Sequence, residues 1–230
     1  MEPVCVYADM RLLVPLVVPL FLVGALAAGP QGKSNRRPPA PVTGPEGAIP
    51  MPADRADDSY AIYAQLMPGD SFARMAPELN AHWAIAEITV NEDDRNPAIA
   101  PQTQLKPPPE NPRGFQEAVG DYETNKDVRI ELTKPPFHLD HDFSLLSPRQ
   151  VAALRAAKGA PQLSSQAQAQ WAGYPGITFF SEVYFDAKHR AALVYMNDWC
   201  AHLCASGTWI YLEKQGGHWV RRSGVVVPGV

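Results

Sequence analysis

Cys200-Ala-His-Leu-Cys204 holds the residue types with the widest chemical reach in this chain. Two cysteines so close can form a disulfide, exchange thiols, or bind a soft metal such as copper with help from Met196 or His202. A redox pair usually has two intervening residues and a helix N-terminus that lowers the thiol pKa. Here three residues intervene, in a turn between two alternating apolar stretches, which favours a structural bridge between Cys200 and Cys204. His138-Leu-Asp140-His141-Asp142 has zinc-like ligand types. It lies between a proline pair and a helix cap with no identifiable distant ligand, so His138 and His141 are expected on an exposed polar loop and no metal is expected. Glu87 and Glu182 fall in strand-like stretches and could form a carboxylate pair for glycosidase-type chemistry. There is no Gly-x-Ser-x-Gly elbow, phosphate-binding glycine loop or His-Glu-x-x-His. No catalytic residue and no cofactor is therefore assigned.

The elements that would position these groups begin with a helix opening at Asp57-Asp58-Ser59, with Ile62, Tyr63 and Leu66 inward and Pro68-Gly69 ending it. Trp83–Val90 has strand composition. Phe115, Val119 and Tyr122 recur at helical spacing, and Val128–Leu132 suits a second strand. Ser147-Pro148-Arg-Gln150 is a capping box that opens a helix over 148–157, with Val151 and Leu154 inward and Gly159 after its end.

From Ile177 the apolar period becomes two. With loops at 187–190 and 201–203, Phe185 opposes Ala192, Val183 opposes Val194, and Val194 opposes Ile210. Phe179, Val183, Phe185, Val194, Met196, Ile210 and Leu212 then share one face, and a one-residue slip would scatter them. The same register sets Cys200 directly opposite Cys204, within disulfide reach. Gly216-Gly217 suits a tight hairpin turn. Phe180, Glu182, Tyr184, Leu193, Tyr195, Trp209 and Tyr211 fall on the other face. They are either a ligand platform or a surface covered by the 148–157 helix, and the covered reading is favoured. The expected fold class is α+β: a C-terminal antiparallel β-meander of about four strands with short helices packed against it.

Residues 12–28 are apolar and uncharged, and Ala25-Leu-Ala27 supplies the small residues that signal peptidase needs. Arg11 precedes them, and starting at Met10 gives a better signal than starting at Met1. The run is short for a membrane anchor, and Pro15 and Pro19 weaken it as a helix. The expected organisation is a signal peptide over 1–28, a proline-rich tether over 29–56 and one domain over 57–230. That makes the protein secreted or periplasmic, touching a membrane only through the N-terminal segment if it is retained. The net charge of −4 argues against a nucleic-acid partner. Arg221-Arg222 is the one compact basic pair beyond the N-terminus and suits a solvated strand edge.

Gly173-Tyr-Pro-Gly-Ile-Thr-Phe-Phe-Ser-Glu-Val-Tyr-Phe-Asp186, the cysteine motif with Ala-Ser-Gly207, Leu212-Glu-Lys214 and Gly217-His-Trp219 together resemble a group of uncharacterised secreted bacterial proteins. These share a Pro-Gly, a serine-containing strand, a Cys-x-x-Leu-Cys hairpin and a Leu-x-Lys…Gly-x-Trp ending. Tyr60-Ala-Ile-Tyr63 and Leu146-Ser147 look like that group's N-terminal portion, whereas the loops, including 97–112, depart from it. The resemblance implies export and fold, and carries over no activity and no catalytic residue. The expected function is a non-enzymatic extracytoplasmic module that binds an unknown ligand or envelope partner. The alternatives are a hydrolase or metal enzyme using Glu182 or His138 and His141, and a thiol-redox or copper-handling protein using Cys200 and Cys204.

Overall fold

A continuous apolar run from Ala191 to Met196, buried on both faces, opens the longest ribbon of the structure. The computed structural model describes residues 45–69, 72, 82–95, 99–159, 165–201 and 204–222, all within one unit spanning Pro39–Val230. The expected signal segment and most of the tether lie outside the described residues. In chain order the strands are β1 (Ile49–Pro50), β2 (Trp83–Ala86), β3 (Ile130–Glu131), β4 (Phe143–Leu146), β5 (Ile177–Phe180), β6 (Tyr184–Phe185), β7 (Ala191–Ala201), β8 (Cys204–Gln215) and β9 (His218–Arg221). The helices are α1 (Ala53–Leu66), α2 (Pro101–Gln104), α3 (Pro112–Asn125), α4 (Pro148–Gly159) and α5 (Ser165–Gln170).

The main sheet runs β4-β2-β5-β7-β8-β9, with β6 also pairing β7. β2 lies parallel to β4 and β5, and the C-terminal strands β7, β8 and β9 are antiparallel. The fold is thus α+β on a mixed sheet. Val194 opposes Ile210, Ala192 opposes Leu212 and Phe185 opposes Ala192, the registers that the loop positions predict. Gly216 and Gly217 have φ of 57° and 86°, left-handed values natural to glycine in a two-residue hairpin turn.

The strand expected ahead of β7 is broken. Phe180 pairs with Met196 and Tyr184 with Leu193, so β5 and β6 together carry one residue more than the strand they face. Ser181 repairs the ladder with its side chain: its hydroxyl accepts from the Tyr195 backbone N–H at 2.9 Å and donates to the Glu182 carbonyl at 2.7 Å. The extra residue reverses the alternation. Phe180, rather than the expected Phe179, joins Val183, Phe185, Val194, Met196, Ile210 and Leu212 in one core layer, while Phe179 turns to the opposite face with Ile177 and Leu154. A second irregularity near the β7–β8 turn pairs Ala201 with Cys204. Cys200 therefore does not sit directly opposite Cys204 in the backbone ladder as the uninterrupted register required.

On the Phe180 face lies α1, with Tyr60, Ile62, Tyr63 and Leu66 buried. It begins at Ala53, earlier than the Asp57-Asp58-Ser59 signal suggests. Pro52 supplies an extended residue before it, and Ile49–Pro50 already pairs with Ile130–Glu131. The ordered domain thus reaches back into the expected tether. Asp58 is not a cap: its carboxylate accepts from Lys214 Nζ at 2.6 Å and Trp219 Nε1 at 2.9 Å, with His189 Nδ1 at 3.4 Å. The expected strand over 128–132 is confined to Ile130–Glu131, and the one over 83–90 stops at Ala86, beyond which Ile88 and Val90 form isolated bridges.

The opposite face is shared by two helices. α3 lays Phe115, Ala118, Val119 and Tyr122 on Tyr184, Leu193, Tyr195, Trp209 and Tyr211. α4 brings Leu154 and Ala157 to Ala84, Ala86, Ile177 and Phe179. Between them, Gly207 leaves room for the Tyr195 ring; a Cβ there would stand 1.8 Å from the Tyr195 hydroxyl oxygen and 2.6 Å from Cζ. Gly207→Ala is expected to cost about 1–3 kcal/mol in urea denaturation through overpacking. Adding Tyr195→Leu should recover part of that loss, and no recovery would break the link between these two positions.

Candidate functional site

Of the six residues expected to form a ligand face, Phe180 has moved to the α1 side and the other five are buried. Tyr184, Tyr195, Trp209 and Tyr211 are buried. The cover is α3 together with the 99–105 segment, not the 148–157 helix expected from sequence. The Trp209 indole donates to the Ile99 carbonyl at 3.0 Å, its backbone N–H donates to Gln104 Oε1 at 3.2 Å, and Leu105 is buried in the same cluster. The 97–112 stretch, a loop by sequence, is therefore partly a packed layer. Tyr122 meets both Tyr184 and Trp209 edge to face, at 5.2 Å between centroids in each case. Such pairs add roughly 0.5–1.5 kcal/mol each beyond their buried area.

Glu182 is 3% exposed. Its carboxylate meets the Arg55 guanidinium, which also grips Asp121 of α3. Asp121 in turn accepts from the Phe185 backbone N–H at 2.8 Å and from Asn125 Nδ2 at 2.8 Å. This cluster ties α1, α3 and the irregular strand together. Burial drives the Glu182 carboxyl up to about 7, and Arg55, shared between two carboxylates, only partly opposes that shift. Its second oxygen, Oε2, has no hydrogen-bond partner among the described residues. Burial first, and then nearby Glu131, raise the Glu87 carboxyl.

An open cavity of about 380 Å³ lies instead between α4 and the sheet. Ala86, Ile88 and Val90 line it from β2 and its extension, Leu146, Val151 and Ala152 from β4 and α4, and Phe179, Tyr195 and Asn197 from the sheet. Arg95, Arg129 and Arg155 bring charge to it. Arg129 is engaged by Asp94 through two contacts, at 3.1 and 2.9 Å. Arg95 is 8% exposed, with its guanidinium carbon 4.9 Å from the Trp209 ring centre and 5.5 Å from those of Tyr122 and Tyr195. Its Nε donates to the Asn91 carbonyl at 2.9 Å. Nη1 and Nη2 have no hydrogen-bond partner among the described residues. Arg155 stands exposed at the rim, 4.7 Å from the Phe179 ring and 5.4 Å from Trp199; partial desolvation lowers its pKa.

Neither Arg95 nor Arg155 stands out in the sequence. Arg95 closes the acidic run Asn91-Glu-Asp-Asp and looks like part of a polar turn, and Arg155 sits in an ordinary amphipathic helix. His138 and His141 are both exposed in the loop before β4, and no group of three or more metal-ligating side chains occurs among the described residues. Cys200 is half-buried, while the Cys204 side chain lies outside the described residues. No helix among the described residues is long and apolar enough to cross a membrane. Comparison with protein-family profiles, curated proteins and solved structures found no match, so the functional reading rests on the cavity.

The Glu182 shift predicts a pH signature. Its folded pKa lies above the unfolded value, so the group's contribution to stability is fully present below about 4.5 and is lost as pH rises through about 7. A glutamine in its place cannot ionise. The melting temperature of Glu182→Gln minus that of the wild type should therefore increase between pH 5 and pH 8; a flat or falling difference refutes the assignment.

Proposed function

We propose that this protein is an exported, non-enzymatic binding module that holds a small molecule in the cavity between α4 and the sheet. The observation that carries the reading is the cavity itself. Its size falls within the ordinary range for ligand sites, roughly 300–1,000 Å³, and its lining is divided between apolar side chains and polar or charged ones. The binding reading is favoured over hydrolysis because Glu182 is occupied by Arg55 beneath the helices and is not among the residues lining the cavity. Export is supported by the apolar segment over 12–28 and by Ala25-Leu-Ala27. The C-terminal scaffold is taken as a meander of four strands, β6 to β9, closed near its β7–β8 turn by a Cys200–Cys204 disulfide suited to an oxidising compartment.

Two measurements test this reading. Protein produced in a bacterium with its N-terminal segment intact is expected outside the cytoplasm, shortened by that segment, and carrying a small molecule released on denaturation. Ala152→Trp, which fills the cavity from the exposed side of α4, should abolish the co-purifying molecule. Full-length protein in the cytoplasm, or equal recovery of the molecule from the variant, defeats the proposal. Thiol titration of the denatured exported protein is expected to find no free thiol at Cys200 or Cys204, and two free thiols there would remove the bridge.

A further inference from the structure

An arginine buried to this degree normally meets a carboxylate or several carbonyls, because stripping water from a guanidinium is costly. Arg95 satisfies only Nε through protein. Three aromatic rings surround it as cation–π partners, and Nη1 and Nη2 have no hydrogen-bond partner among the described residues. Those two nitrogens form the planar fork that pairs bidentately with a carboxylate. The nearby acids do not fill this role. Asp94 is held by Arg129 and also accepts from the Asn91 backbone N–H at 3.0 Å, and Glu46 is exposed on the cavity wall.

The lining around this fork is mixed: Ala86, Ile88, Val90, Leu146, Val151 and Phe179 give it a hydrocarbon wall beside polar residues such as Thr89 and Asp94. Arg155 at the mouth adds a second cation whose own carbon lies over aromatic faces, and Asn197 is a further polar lining residue. The site thus offers a cationic floor, an apolar wall and a cationic rim. A bare inorganic anion would leave the wall unused, and a neutral apolar molecule would leave the fork unpaired.

Resting on the reading of this cavity as the binding site, we infer that its ligand is a small organic carboxylate with an apolar body, the carboxylate held by Arg95 and its approach favoured by Arg155. Octanoate, octanol, octylamine and inorganic phosphate are the probes, titrated calorimetrically into the full exported protein. Octanoate is expected to bind at least tenfold more tightly than the other three. Arg95→Gln should erase the preference over octanol. Arg155→Gln, at an exposed position on α4, should weaken octanoate severalfold and octanol much less.

Equal binding of octanol overturns the carboxylate assignment while leaving the cavity as a binding site. Equal binding of phosphate overturns the apolar body. Octanoate binding that neither variant changes places the ligand elsewhere, and no binding by any probe at millimolar concentration removes both the inference and the reading beneath it.

Discussion

One surplus residue between Phe180 and Tyr184 governs the arrangement of both faces of the sheet. Side chains alternate along a strand, so a single added position exchanges inside and outside for everything before it. Here it sends Phe180 into the α1 core and Phe179 toward α4, where Phe179 becomes a wall of the cavity. It also leaves Glu182 off the ladder, directed toward Arg55. The Ser181 hydroxyl makes the defect tolerable by supplying the acceptor that the Tyr195 N–H would otherwise lack. Tyr63, from α1, donates to the Ser181 carbonyl at 2.8 Å, so the helix is seated on the irregularity itself.

What the sequence disclosed, and what it hid, follows from the range of the interactions involved. Registers within β7 and β8 were legible because both partners show the same period and each loop length constrains it. The helix after Ser147 was legible because a capping box is local, and Gln150 Oε1 does accept the Ser147 backbone N–H at 2.9 Å. Asn111-Pro112 carries a similar local signal for α3, with the Asn111 side chain accepting from the Gly114 N–H at 3.0 Å. The surplus residue at 181–183 leaves no compositional trace, because Ser-Glu-Val suits an uninterrupted strand equally well. The cover over the aromatic row was hidden for another reason: 97–112 has the composition of a loop, and only the tertiary fold brings Leu105 and the Ile99 carbonyl to Trp209. The cavity was least accessible of all. Its lining comes from segments between residues 46 and 197, brought together only by the tertiary fold.

Arg95 also illustrates how charge and packing trade against each other. Burying its guanidinium among Tyr122, Tyr195 and Trp209 packs these rings around a cation, which keeps a polar demand in an otherwise apolar layer. Gly207 belongs to the same compromise, since only its missing side chain lets Tyr195 lie where it helps enclose the arginine. The cavity lies beside this layer, with Tyr195 in its wall.

The Asp58 cluster has a consequence for the order in which the molecule can assemble. Asp58 lies on the earliest helix, and its partners Lys214 and Trp219 lie on the last hairpin, so a contact of such wide sequence separation closes only after nearly every other element has emerged. A chain threaded outward amino end first would carry that helix in waiting, unable to lock, until its final ribbon followed it through.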